Sequence, residues 1–216
     1  PHLNILIGGL SAHSLELETA IYKDFPLIII IITIITYILT MFSFNSILLP
    51  LKAVILNILS VTATYGVMVW IFQYGYFASW LGIEELPGSL LIVSPVILFC
   101  MIFGLSMDYE IFLLNRIREE YEICGDHEEA IALGMEKTGG IITSAALIMI
   151  MVFLGFAFAR IILVKEFGVG LATAIIIDAT IIRILVVPAF MKLVGPACWY
   201  LPKAFDIPLI NRFFKH

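Results

Sequence analysis

The sequence predicts an all-α integral membrane protein with five transmembrane helices, on three observations. Hydrophobic residues make up 62% of the 216-residue chain and charged residues only 13%, where a soluble domain carries roughly a quarter charged. Five apolar stretches, residues 26–44, 51–77, 90–114, 141–159 and 167–193, approach or exceed the roughly 20 residues that a helix needs to cross a bilayer. Lysine and arginine are shared unequally between the two sets of connections.

The elements follow in order. Residues 1–24 start at Pro1, and the apolar run Asn4–Ile7 before Gly8-Gly9 reads as a strand leaving a folded domain. The chain is therefore expected to be the C-terminal piece of a longer protein. The membrane bundle is expected over residues 25–195. Its first span is rich in isoleucine, and a short link around Asn45 to Pro50 leads into the second. The stretch GIEELPGS, Gly82 to Ser89, is a turn-rich loop between the second and third spans. Pro95 and Pro188 fall within spans, which membrane helices tolerate when neighbours satisfy the freed carbonyls. Residues 115–140 form a loop in which Asp126, with Glu129 three residues on, predicts a helix N-terminus, and Gly139 or Gly140 its end. The expected element is a short surface helix, either amphipathic at the membrane or a solvated connector. Residues 196–216 form a C-terminal tail.

Orientation follows from the basic residues. With the N-terminus outside, Lys52, Arg116, Arg118, Lys137, Lys192, Lys203, Arg212 and Lys215 are cytoplasmic, while Lys23, Arg160 and Lys165 are external. Eight against three predicts an external N-terminus and a cytoplasmic C-terminus. A net charge of -5 gives no electrostatic support for a nucleic-acid partner. Cys100, Cys124, Cys198 and the four histidines are scattered, so neither a metal site nor any other cofactor is suggested.

The chemistry concentrates in three polar positions within spans: Asp108, Asp178 and Arg183. Each costs about 2.5 to 3.5 kcal/mol to place at mid-bilayer. Asp108 lies eight residues before Arg116, and Ser144 seven after Lys137. At about 1.5 Å per residue, each stands about 11 to 12 Å from the cytoplasmic end of its span, with Arg183 at a similar height. Small residues, Gly104 before Asp108 and Gly170 and Ala174 before Asp178, predict close helix packing on the faces carrying the acids. Burial favours a carboxyl's neutral form and a guanidinium its charged form, so a group balanced between them exchanges protons near neutral pH. Tyr109 can hydrogen-bond a partner carboxyl, and the Thr143-Ser144 hydroxyls can serve either protonation state. The same residues admit a structural reading, in which an acid paired with Arg183 only holds helices together. Glu110 points about 200° from Asp108 on a helix and is expected to snorkel toward Arg116. An intramembrane hydrolase using Ser106 and Asp108 would want a histidine, and all four lie outside the spans.

Three segments carry a family resemblance: FGLSMDYEIFLLNRIREEY from Phe103, TGGIITSAALIMIMVF from Thr138, and FGVGLATAIIIDATIIRILVVPAFMKLVG from Phe167, followed by WYLP. In this order and spacing they resemble the MMPL family of the resistance-nodulation-division (RND) superfamily. Where members usually have TGR, this chain has Thr138-Gly139-Gly140. The resemblance implies helices eight to twelve of a twelve-helix transporter built as two similar halves. It makes residues 1–24 the tail of an extracytoplasmic porter domain, and the missing N-terminal half a partner. It implies a proton relay at Asp108 and Tyr109, with Asp178 and Arg183 matching the twelfth-helix pattern and Ser144 nearby. It further implies proton-driven export of lipidic or hydrophobic compounds across the cell membrane. The alternative is a non-transporting, sterol-sensing-like or assembly module that binds membrane lipids or partners.

Overall fold

The computed structural model describes residues 10–44, 46–83 and 88–199. The expected strand at residues 4–7 and the tail beyond residue 199 lie outside the described residues. The described residues form helices and turns, with five helices long and apolar enough to cross a membrane. Helix α1 spans Leu10–Phe44 and passes through Pro26. Helices α2, α3 and α4 span Leu48–Phe72, Val93–Cys124 and His127–Ala157. The last rod begins as α5, Ile162–Ile177, widens into a π-helical turn at Asp178–Val186, and ends in α6, Val187–Val194, and a 3-10 turn, Gly195–Trp199.

Several boundaries differ from those expected. Helix α2 stops at Phe72 instead of residue 77, because Gly75 and Phe77 adopt positive φ angles of 79° and 63° that no helix continues through. There Trp70 stacks on Tyr76 and meets the Phe77 ring edge-on. Pro95 sits in the first turn of α3, where its missing N–H breaks no helical bond. Helix α3 continues ten residues beyond its expected end at residue 114. Its extension carries ion pairs one turn apart, Arg116 to Glu119 and Glu120 and Arg118 to Glu122.

The short surface helix is the start of α4 and not a separate element. Asp126 caps it as expected, its carboxylate accepting from the backbone N–H groups of Glu128 and Glu129 at 2.9 Å. Gly139 and Gly140 do not end it. Glycine is common within membrane helices, and a Cβ on either would meet nothing within 4 Å, whereas a Cβ on Gly134 would stand 2.9 Å from the Cα of Ile117 on α3. Lys137 ties the same interface to Glu120 at 2.7 Å.

Helices α2, α3 and α5 carry more of the buried surface, whereas α1 and α4 are mostly exposed. Ile30, Ile31, Ile34, Ile35 and Ile38 of α1 and Leu147, Ile148, Met151 and Val152 of α4 present apolar side chains outward, the arrangement a lipid-facing surface requires. Two apolar clusters fill the interior. One gathers Met68, Phe72, Leu98, Phe99, Phe103, Leu171 and Ala174. The other gathers Phe44, Leu49, Leu56, Leu113, Leu114, Ile117 and Met191.

Two basic residues are not the loop charges they were expected to be. Lys165 is buried and donates to the carbonyls of Leu81 and Gly82, while the buried Glu166 carboxylate accepts from the Leu91 N–H at 3.2 Å. Together they fasten both ends of the α2–α3 connection to α5. Lys52, counted as a cytoplasmic cation, is buried in α2. At the opposite end, Trp199 donates to Nδ1 of His127, so Nε2 carries the proton given to the Met191 carbonyl at 2.9 Å.

A close approach of α5 to α4 sets the first prediction. A Cβ on Gly168 of α5 would lie 2.3 Å from the backbone nitrogen of Ala157 and 2.6 Å from the carbonyl carbon of Phe156. Backbone cannot rotate aside, so Gly168→Ala is expected to cost about 1–3 kcal/mol and to lower the unfolding temperature in detergent. Gly104→Ala, with nothing within 4 Å of the added methyl, is the control and is expected to unfold like the parent.

Candidate functional site: a buried charge layer between α2, α3 and α5

Asp178 and Arg183 are five residues apart. In an α-helix at about 3.6 residues per turn, such positions point about 140° away from each other. The π-helical turn removes that divergence, since its i→i+5 bonding brings them toward one face. The Val187 N–H accordingly reaches back five residues to the Ile182 carbonyl. Pro188, just beyond, has no N–H to close an α-turn on Ile184, which favours a widened turn here. The local sequence thus supplies the register that pairs these side chains.

The pair is tight and shielded. Arg183 lies 2.5 Å from Oδ2 of Asp178, and the two residues are 5% and 7% exposed. Arg183 also donates to the Ser106 carbonyl at 3.2 Å, and its guanidinium stands 4.9 Å from the centre of the Tyr109 ring. The other carboxylate oxygen, Oδ1, is 2.8 Å from the Ser106 hydroxyl, which is also 2.8 Å from Oδ1 of Asn57. Three helices therefore meet at one carboxylate. A cavity of about 20 Å³, lined by Ser106, Tyr109, Ala146, Ala174, Asp178 and Arg183 among others, adjoins it and has room for about one water molecule.

The single hydroxyl hydrogen of Ser106 faces two acceptors. With Asp178 ionised, the hydroxyl donates to the carboxylate. With Asp178 protonated, its O–H donates to Ser106, which turns its own hydrogen to the Asn57 carbonyl. Both protonation states are thus hydrogen-bonded without moving a helix.

The expected site residues separate into two groups. Tyr109, Asp178 and Arg183 come together, with Gly170 and Ala174 packed inward on α5 as expected: a Cβ on Gly170 would lie 2.9 Å from the Leu98 side chain. Asp108 does not join them. It is exposed with Gly104 in a groove between α1 and α3 lined by Thr36, Thr40 and Cys100. Among the described residues, nothing stands within 4 Å of a Cβ placed on Gly104. Ser144 is exposed as well, its hydroxyl bonded to the Gly140 carbonyl at 2.6 Å one turn back in α4. Residues two apart on a helix face roughly opposite sides, so α3 turns Ser106 and Glu110 inward and Asp108 outward.

Glu110 does not snorkel. It is buried, 2.6 Å from the equally buried Lys52. Asn57, Ser106, Lys52 and Glu110 were not placed in the site by sequence reasoning. A signal was present on α2, where Asn57, Ser60 and Thr64 follow at helical spacing inside an apolar span, and all three are buried.

Five membrane-crossing helices around an enclosed layer of opposite charges define a multi-pass membrane protein with an intramembrane ionic site. The chain belongs to the MMPL family, whose pattern it matches over residues 1–207. It is 37% identical to the trehalose monomycolate exporter MmpL3 of Mycobacterium tuberculosis, over 93% of this chain and 21% of that protein. It is 45% identical to the heme uptake protein MmpL11 of the same organism, over 91% of this chain and 20% of that one. Against the mycolic acid-containing lipids exporter MmpL11 of Mycolicibacterium smegmatis, identity is 42% over 93% of this chain and 21% of the relative. The chain thus spans about a fifth of the length of these relatives.

Removing one member of the buried pair tests its energetics. Arg183→Met leaves the Asp178 carboxylate without its cation and is expected to cost about 3–5 kcal/mol. The double variant Asp178→Asn with Arg183→Met removes both charges and is expected to recover more than half of that loss. Thermal unfolding in detergent measures both.

Proposed function

We propose that this chain forms part of a proton-motive-force-driven exporter of lipidic or hydrophobic compounds in the cell membrane. The observation that carries the proposal is the Asp178 carboxylate, held by Arg183 on one oxygen and by the Ser106–Asn57 exchange on the other. A carboxylate with a ready partner in each protonation state is suited to loading and releasing protons. Each proton crossing 100 mV of potential supplies about 2.3 kcal/mol. Protonation cancels the charge that Arg183 faces, freeing the guanidinium to rest on Tyr109 and the Ser106 carbonyl. The π-helical turn that supports this pairing is then the element able to change register.

Asp108 has a different place in the proposal. Its groove between α1 and α3 is the face on which the N-terminal half of the transporter docks, so that its carboxylate completes the relay with groups from that half. The N-terminus is external and the C-terminus cytoplasmic. The lipid cargo is inferred from the relatives named as lipid exporters.

The test uses the intact protein reconstituted in vesicles with an imposed proton gradient. Lipid export is expected to stop when a protonophore is added. Asp178→Asn and Asp108→Asn are each expected to lower the rate at least tenfold while inserting normally. Unchanged export in Asp178→Asn, or export indifferent to the protonophore, overturns the reading.

A further inference from the structure

The Lys52–Glu110 pair is costly and has no part in the scheme above. Withdrawing two ions from water costs several kcal/mol each, and apolar side chains of similar size often pack as well or better. Such side chains are already at hand, since Leu49 and Leu56 of α2 pack in one cluster with Leu113 and Leu114 of α3. The pair's place in the fold suggests its use. Glu110 lies one helical turn beyond Ser106, and Lys52 five residues before Asn57, the two residues that share the hydroxyl exchange with Asp178. Glu110 and Ser106 share the buried face of α3, Lys52 lies 2.6 Å from Glu110, and Ser106 hydrogen-bonds Asp178, so the pair adjoins the carboxylate's own hydrogen-bond partner. Salt screens such an enclosed arrangement poorly.

The groups facing Asp178 are Lys52 and Asn57 from α2, Ser106, Tyr109 and Glu110 from α3, and Arg183 from its own helix. From α4 the neighbouring cavity receives Ala146. The four charges sum to zero when Asp178 is ionised and to one positive charge when it is protonated.

We propose that Lys52 and Glu110 are positioning residues that set the pH at which Asp178 takes up its proton, Glu110 favouring uptake and Lys52 opposing it. The inference rests on the proton-exchange reading of Asp178. The pair supplies a fixed field across the site.

Infrared titration of the intact protein, following the carboxylic-acid carbonyl band that Asp178→Asn removes, tests this apart from transport. Glu110→Gln removes a negative charge that repels ionised Asp178, so the midpoint is expected to fall by about one pH unit. Lys52→Met removes an attracting positive charge, so the midpoint is expected to rise by a similar amount. The exchanged pair, Lys52→Glu with Glu110→Lys, keeps an internal ion pair and covers the case in which a single variant fails to accumulate. It places the positive charge on α3 one turn from Ser106, the residue that touches Asp178, and its midpoint is expected to fall. A purely structural pair predicts no midpoint shift, or shifts of one sign in both single variants, and either result overturns the inference. A parent protein with no Asp178-dependent band sinks the proton-exchange reading, and this inference with it.

Discussion

The ion pair between Asp178 and Arg183 is the constraint around which the described structure is arranged. A guanidinium enclosed between helices is costly to leave without a counter-charge. The nearest one in the chain stands five residues away, a spacing that an ordinary helix directs elsewhere. The helix has therefore changed its hydrogen bonding to bring the acid round. Neighbouring helices supply what the pair alone does not: a carbonyl and a hydroxyl from Ser106, an aromatic face from Tyr109, and an amide from Asn57. Apolar clusters above and below close the layer off.

This arrangement explains why polar residues and close packing occur together. Ser106 reaches Asp178 only because α3 and α5 approach closely, and Gly170 and Ala174 allow that approach on the α5 face. Glycine works equally hard at either end of α4. Gly134 admits α3 beside its first turns, and Gly168 admits α5 beside its last. The exposed isoleucines of α1 carry no such demand, which fits their near uniformity: a lipid-facing surface needs apolarity more than shape.

Much of the fold was legible because hydrophobic length is a strong signal in a membrane helix. The five spans, the Asp126 cap and the inward role of Gly170 and Ala174 could all be read directly. Helix ends were less legible. The chain leaves α2 through left-handed residues at Gly75 and Phe77, and α4 runs on through Gly139 and Gly140. Neither fact resides in local propensity. At the site, Asp178, Arg183 and Tyr109 stood out as rare polar residues in apolar surroundings. Asp108 and Ser144 stood out for the same reason, yet height along a helix says nothing about the side it faces. Glu110 was assigned to the surface by its distance from Arg116, when the deciding fact was a lysine on another helix. Long-range pairings of this kind need three-dimensional knowledge.

The unbroken run of α4 has a mechanical consequence. Its inner half stands beside the charge layer, and its first turn carries the capped Asp126 and the histidine latched to the end of the final rod. About 30 Å of continuous helix, counted from Ala146 back to Asp126, links the two. A tilt of a few degrees at the layer therefore becomes a displacement of an ångström or more at the tip. A movement at the buried pair would thus be carried, enlarged, to the end of α4.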